Sequence, residues 1–126
     1  MTSVTLHRDP DSNITTATGI GRVTASDLWA ALDKFYDDSP TLLALCDLSQ
    51  ADLSSLSGQE LKQIVEFTES RAAVRRGGRT AIVAPEDLQY GMARVYQSLA
   101  EIHRHPVAIR AFRAGEEALQ WLQKTS

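Results

Sequence analysis

The stretch CDLSQADLSSLSGQEL, Cys46 to Leu61, gathers a thiol, the carboxylates Asp47 and Asp52, and the serines Ser49, Ser54, Ser55 and Ser57. Three chemistries could arise there. Cys46 could act as a nucleophile, but it closes the apolar run Leu42-Leu43-Ala44-Leu45-Cys46 and reads as a small buried hydrophobe. Asp47 could accept a phosphoryl group, but that chemistry needs further carboxylates to hold magnesium. The first strand offers only Asp9 and Asp11, in a turn. The serines could be phosphorylated. None has an evident base beside it, and an unactivated hydroxyl is a poor nucleophile at neutral pH.

The serines also have a structural role. Ser57-Gly58-Gln59-Glu60 has the form of a capping box, in which the Ser57 hydroxyl accepts from the Glu60 N–H and the Glu60 carboxylate reaches back. Other reactive groups are less organised. His7, His103 and His105 form no metal-ligand group with Cys46, and His103 and His105 read as a fraying helix end. Gly19-Ile20-Gly21 lacks the third glycine of a dinucleotide loop. Arg71, Arg75, Arg76 and Arg79 read as a solvated basic end that complements a helix dipole.

The elements that hold these groups follow from periodicity. Val4, Leu6 and Arg8 alternate, as do Ile14, Thr16, Thr18 and Ile20, with turn formers between them, which predicts a hairpin. Leu28, Leu32, Phe35 and Tyr36 share a helical face after Thr24, and Pro40 ends that helix. Thr41 to Leu48 and Arg79 to Ala84 are short, nearly continuous apolar runs, as expected of central strands covered on both faces. Between them a helix is expected from about Gly58 to Arg75. A third helix opens with Pro85 in its first turn and carries Leu88, Met92, Val95, Leu99 and Ile102, the clearest amphipathic signal in the chain. Val107 to Phe112 reads as a last strand, and Gly115 to Lys124 as a last helix with Ala118, Leu119 and Leu122 inward. The order β-β-α-β-α-β-α-β-α predicts one α/β domain over residues 1–126, with a four- or five-stranded, mostly parallel mixed sheet and four helices. Ligands of such sheets sit beyond the carboxyl ends of the strands, where the serine-rich stretch is expected.

The chain has 126 residues, 43% of them hydrophobic, and needs no disulfide or metal to hold a core. A net charge of −3 gives no electrostatic case for nucleic acid or an anionic membrane. Met1-Thr2-Ser3-Val4 carries neither a basic start nor an apolar core for export, and no run is long enough to span a membrane. A cytoplasmic protein is the expectation.

At the Asp47-Leu48-Ser49 strand end, eleven residues before Gly58, the chain resembles the STAS domain of anti-sigma-factor antagonists, with its Asp-Leu-Ser... Asp-Ser-Ser/Thr-Gly pattern. The segments GRVTASDLWAAL, RRGGRTAIVAPEDLQYGMARVYQSLAE and IRAFRAGEEALQWL resemble an uncharacterised bacterial STAS/lipid-transfer-like branch. With Gly58 aligned, the family's aspartate falls on Ser55, its phosphorylated serine on Leu56, and Ser57 on the following Ser/Thr. The acceptor hydroxyl is absent from its place, and a one-residue shift would be needed to present Ser55 or Ser57.

The resemblance implies a non-enzymatic regulatory or protein-interaction domain without cofactor or metal. Its interaction edge would comprise Asp47, Ser49, Ser54, Ser55, Leu56, Ser57, Gly58 and Leu61, with Ser57 and Ser55 as the phosphorylation candidates. Its partner would be a protein such as an anti-sigma-factor-like regulator, and a homodimer stays open. The alternative is a binder of a lipid or other apolar small molecule. It is motivated by the resemblance and by Trp29, Tyr36, Tyr90 and Tyr96 on helix faces. A deep apolar pocket would favour the binder. A filled core with an exposed patch at Ser54 to Leu61 would favour the interaction domain.

Overall fold

A computed structural model describes residues 3–124; residues 1, 2, 125 and 126 of the expected domain, and with them part of the N-terminal reading, lie outside the described residues. The hairpin forms as β1 (Val4–Asp9) and β2 (Ile14–Arg22), closed by Asn13, whose φ of 58° lies in the left-handed region that asparagine tolerates. Then follow α1 (Ala25–Asp37), β3 (Leu43–Asp52), α2 (Gly58–Arg71), a 3-10 turn (Ala72–Arg75), β4 (Arg79–Val83), α3 (Asp87–Ile102), β5 (Ala108–Phe112) and α4 (Gly115–Gln123). The sheet has the order β1-β2-β3-β4-β5, with β1 antiparallel to β2 and every other pair parallel. The expected α/β class and element order hold, with β3 at the centre.

Two layers of helix cover the sheet. The face carrying Cys46, Leu48, Ile82 and Ala111 packs against α1, α2 and α3. On the opposite face Ile14, Leu43, Leu45, Ala81, Val83 and Phe112 meet Ala118, Trp121 and Leu122 of α4. Strand alternation thus divides β3 between two cores, which is why its sequence is apolar at successive positions.

The structure corrects several boundaries. β3 does not end at Leu48. It continues to Asp52 because the nine-residue β2 shifts register between Thr18 and Ile20 and then pairs Ile20, Gly21 and Arg22 with Gln50, Ala51 and Asp52. Polar side chains on this extension hid it from a reading based on apolar runs. The helix expected to reach Arg75 stops at Arg71 and tightens into the 3-10 turn. Pro85 precedes the third helix and its N-cap, Glu86, rather than sitting in the first turn.

The amphipathic stripe of α3 is also only partly inward. Gln89, Ala93 and Ala100 are buried, whereas Leu88, Val95 and Ile102 are 55%, 43% and 76% exposed. Gln89 sets this rotation: its Oε1 accepts from the Glu86 N–H at 3.1 Å and its Nε2 donates to the Ala51 carbonyl at 2.8 Å. On α4, Ala118 and Leu122 are buried as expected. Leu119 is exposed, and Trp121 instead packs on Phe112 with ring centroids 5.6 Å apart.

Gly78 sits at a tight crossing of the backbone. A Cβ there would lie 2.3 Å from the Leu42 carbonyl oxygen, so only glycine fits where β3 and β4 begin side by side. Among the described residues no helix is long and apolar enough to cross a membrane.

A candidate ligand cavity beneath the serine-rich connection

The capping box forms. The Ser57 hydroxyl accepts from the Glu60 N–H at 3.1 Å, and Glu60 Oε1 accepts from the Ser57 N–H at 3.0 Å. Ser54 donates its N–H to Asp52 Oδ1 at 2.9 Å, and hydrogen bonding from Ser54 holds the Asp52 carboxyl below the usual carboxylate range. Ser55 is half-buried, with its hydroxyl 3.5 Å from the Val23 carbonyl. Ser49, Ser54, Ser57 and Gly58 are exposed.

Other residues of the expected edge lie elsewhere. Leu56 is 9% exposed and Leu61 4%, and both point beneath the connection into the core. Asp47 is in mid-strand. Alternation with Leu43 and Leu45 puts it on the α4 side of the sheet, where its Oδ1 accepts from the Ser49 N–H at 3.0 Å. The structure therefore brings Ser54, Ser55 and Ser57 together at the surface and separates them from Asp47, Leu56 and Leu61.

Beneath the connection lies a cavity of about 130 Å³ between the sheet and α1, α2 and α3. Leu53, Leu56 and Leu61 close one end; Leu28, Leu32 and Phe35 of α1 roof it; Ala44, Cys46, Leu48 and Ile82 form its floor. The floor residues Ala44 to Leu48 span about 13 Å of strand. Small side chains create the space, since Ala17, Gly19, Ala31, Ala44 and Ala93 line it where larger residues would fill it. Gly19 has no room to spare, because a Cβ would come within 3.3 Å of Leu48 and Val23.

The cavity explains two oddities of burial. Cys46, in the central strand, and Leu28 and Leu32, on the inward face of α1, are only half-buried because part of their surface faces this space. Burial, followed by the charge of Asp47, pushes the Cys46 thiol up to about 12, which removes it as a nucleophile.

The far end is polar. Arg75, expected as part of a solvated basic end, is 3% exposed and lines the cavity together with Thr80 and Tyr96. Its Nε donates to the Thr41 carbonyl at 2.7 Å; its Nη2 donates to the Leu42 carbonyl at 3.0 Å, the Arg79 carbonyl at 3.2 Å and the Thr80 hydroxyl at 3.0 Å. The chain reverses at Gly77 and Gly78, and this turns Arg75 inward to collect carbonyls at the starts of β3 and β4. Of the other arginines, Arg71 pairs with Asp33 at 2.6 Å and Asp37 at 2.9 Å, tying α2 to α1. Arg79 donates to the Trp121 carbonyl at 3.0 Å at the end of α4.

His105 is pinned rather than frayed. Its Nδ1 accepts from the Val107 N–H at 3.1 Å, which leaves Nε2 to donate to the Thr68 hydroxyl at 3.1 Å. Tyr96 also reaches Thr68, at 3.2 Å, and burial raises its phenol pKa. Of the aromatics singled out in the sequence, Tyr96 lines the cavity and Tyr36 accepts from Arg75 Nη1 at 3.3 Å. Trp29 instead stacks on Phe67 at 4.4 Å, and Tyr90 lies 4.4 Å under the Arg113 guanidinium. No sequence signal distinguished Arg75 from its neighbours, although the small residues of the cavity wall were visible as alanines at core positions.

No protein-family model and no curated protein sequence matches the chain. Solved structures do. An uncharacterized protein of the DUF3478 family with a SpoIIAA-like fold, from Shewanella loihica, superimposes with a TM-score of 0.58 at 20% identity, over 94% of this chain and 91% of that one. The unphosphorylated anti-sigma factor antagonist SpoIIAA gives 0.55 at 10% identity, over 97% and 99%. An anti-sigma factor antagonist from Mycobacterium paratuberculosis gives 0.57 at 17% identity, over 97% and 96%. At such identities the likeness is one of fold alone: the five-stranded mixed sheet with its four helices has a SpoIIAA-like, STAS-type fold.

Proposed function

We propose that this STAS-fold domain is a non-enzymatic binder of a small apolar molecule, held in the cavity between the sheet and α1, α2 and α3. The carrying observation is the cavity itself, about 130 Å³ and walled mostly by apolar side chains, with Arg75, Thr80 and Tyr96 at one end. Leaving such a volume empty forfeits roughly 3 kcal/mol at ~24 cal/mol per Å³. That is a large share of the roughly 5–15 kcal/mol that holds a domain together, so an occupant would return stability that the bare fold gives up. The volume also limits the occupant. An engineered apolar cavity of about 150 Å³ takes up benzene, so a body of about six carbons fits here and a complete lipid does not. A methyl NMR titration with toluene and with hexan-1-ol tests this. Saturable shifts of Leu28, Leu32, Leu48 and Ile82 methyls are expected; their absence would overturn the reading.

A second reading is a protein-interaction domain. It is supported by the fold shared with anti-sigma factor antagonists and by the exposure of Ser54, Ser57 and Gly58 where β3 connects to α2. In this reading Ser57, and after it Ser55, is the phosphorylation candidate. A phosphate on Ser57 would meet the positive end of α2 but crowd the Glu60 carboxylate. Phosphopeptide mapping after incubation with cell extract and ATP tests it, with stoichiometric phosphate on either serine as the supporting result.

A further inference from the structure

Arg75 is a buried cation, 3% exposed, with no carboxylate at ion-pair distance among the described residues. The ion pairs among the described residues engage Arg71, His103 and Arg113, and no carboxylate reaches Arg75. An arginine does not shed its proton in a protein, and an isolated buried charge is costly. Here part of that cost is met by carbonyl dipoles and by the rings of Phe35 and Tyr36, 5.0 Å and 5.9 Å from the guanidinium carbon.

Arg75 uses its donors unevenly. A guanidinium has five N–H groups. Nε has Thr41, and the two on Nη2 share Leu42, Arg79 and Thr80. Nη1 has two, and its one acceptor among the described residues is the Tyr36 hydroxyl, at a long 3.3 Å. The same side chain forms part of the cavity wall, at the end away from Leu53 and Leu56.

Resting on the reading of the cavity as a binding site, we infer that its ligand is a small monocarboxylate. An apolar body of about six carbons would lie along Ala44 to Leu48 under α1, and its carboxylate would pair with Arg75. The ligand would then supply both things the bare fold lacks: apolar contacts for the cavity wall and a counter-charge for the buried cation. A neutral apolar molecule supplies only the first. A bare anion supplies only the second, and would have to be desolvated among aliphatic side chains to do so.

The test is an NMR titration of the full chain at pH 7.5 with sodium hexanoate, hexan-1-ol and sodium acetate, read at the Leu and Ile methyls of the cavity and at the Arg75 Nε–H cross-peak. Hexanoate is expected to bind at least tenfold more tightly than hexan-1-ol and to move the Arg75 cross-peak, which hexan-1-ol leaves in place. Equal affinity of the two, or binding of hexanoate with Arg75 unmoved, would overturn the carboxylate assignment and leave the apolar cavity standing. Acetate binding as well as hexanoate would overturn it in favour of a bare anion site. Absence of saturable binding by hexanoate and hexan-1-ol alike would remove both readings.

Discussion

His105 Nε2 lies 3.1 Å from the Thr68 hydroxyl and joins the loop before β5 to α2. Since Nδ1 accepts from Val107, this contact requires the neutral imidazole. Burial first, and the charge of Arg75 second, push the His105 pKa below its ordinary 6.5, against an opposing pull from Glu69. Above about pH 8 the ring is neutral in both the folded and the unfolded chain and contributes nothing to pH dependence. As pH falls through 6.5 the unfolded chain takes up the proton first, so stability should fall and level off once the folded value is passed. Asp9, Asp27 and Asp52, held below 3.8, act only at lower pH. Urea denaturation between pH 7.5 and 5 should show the loss, and His105→Gln should flatten it. A variant profile parallel to that of the parent would exclude His105 as the source.

Ser57→Ala should lower stability by about 1 kcal/mol, because the Glu60 N–H loses its acceptor and one side of the capping box is gone. Ser57→Asp, which keeps an acceptor near the positive helix end, should recover most of it. An unchanged denaturation midpoint for Ser57→Ala would show that the first turn of α2 is held by other contacts.

The sequence resemblance aligns Leu56 with the acceptor serine of the STAS pattern and leads one to expect it on an exposed interaction edge, where a change would leave the fold intact. Burial reverses that expectation. Leu56 packs with Leu53, Leu61 and Val23 and closes one end of the cavity, so Leu56→Ala should destabilise by about 2 kcal/mol. The figure sits at the low end for a buried leucine because one side of it already faces empty space. Ser54→Ala, on the exposed turn beside it, should stay within about 0.5 kcal/mol. Equal effects of the two would mean that Leu56 is not a core residue.

The legible parts of this fold were those governed by period and by local hydrogen bonding. The hairpin turn, the divided apolar run of β3 and the capping box at Ser57 each depend on residues within a few positions of one another. The misread parts depend on long-range partners. The extension of β3 to Asp52 needs β2 alongside it, and the rotation of α3 is set by Gln89 reaching Ala51. Arg75 was indistinguishable from Arg71 and Arg76, because only the reversal at Gly77 and Gly78 turns it inward. The cavity was equally hidden. Alanines at core positions signal close packing or empty space with the same letters, and the spacing of α1 above the sheet decides between them.

That spacing can be tested from within. Ala44 lies in β3, paired in register with Thr15 and Thr80, and its side chain forms part of the cavity floor. Valine suits a central strand, and its two further methyl groups would enter the space without displacing a neighbour. At ~0.8 kcal/mol per buried methylene, less some loss in rotamer choice, Ala44→Val should raise stability by about 1 kcal/mol. It should also weaken uptake of hexan-1-ol and toluene, since volume given to the side chain is taken from the ligand. The two effects have to appear together. A variant that is more stable and binds as before would place the binding elsewhere, and one that is less stable would mean the floor is already packed at Ala44.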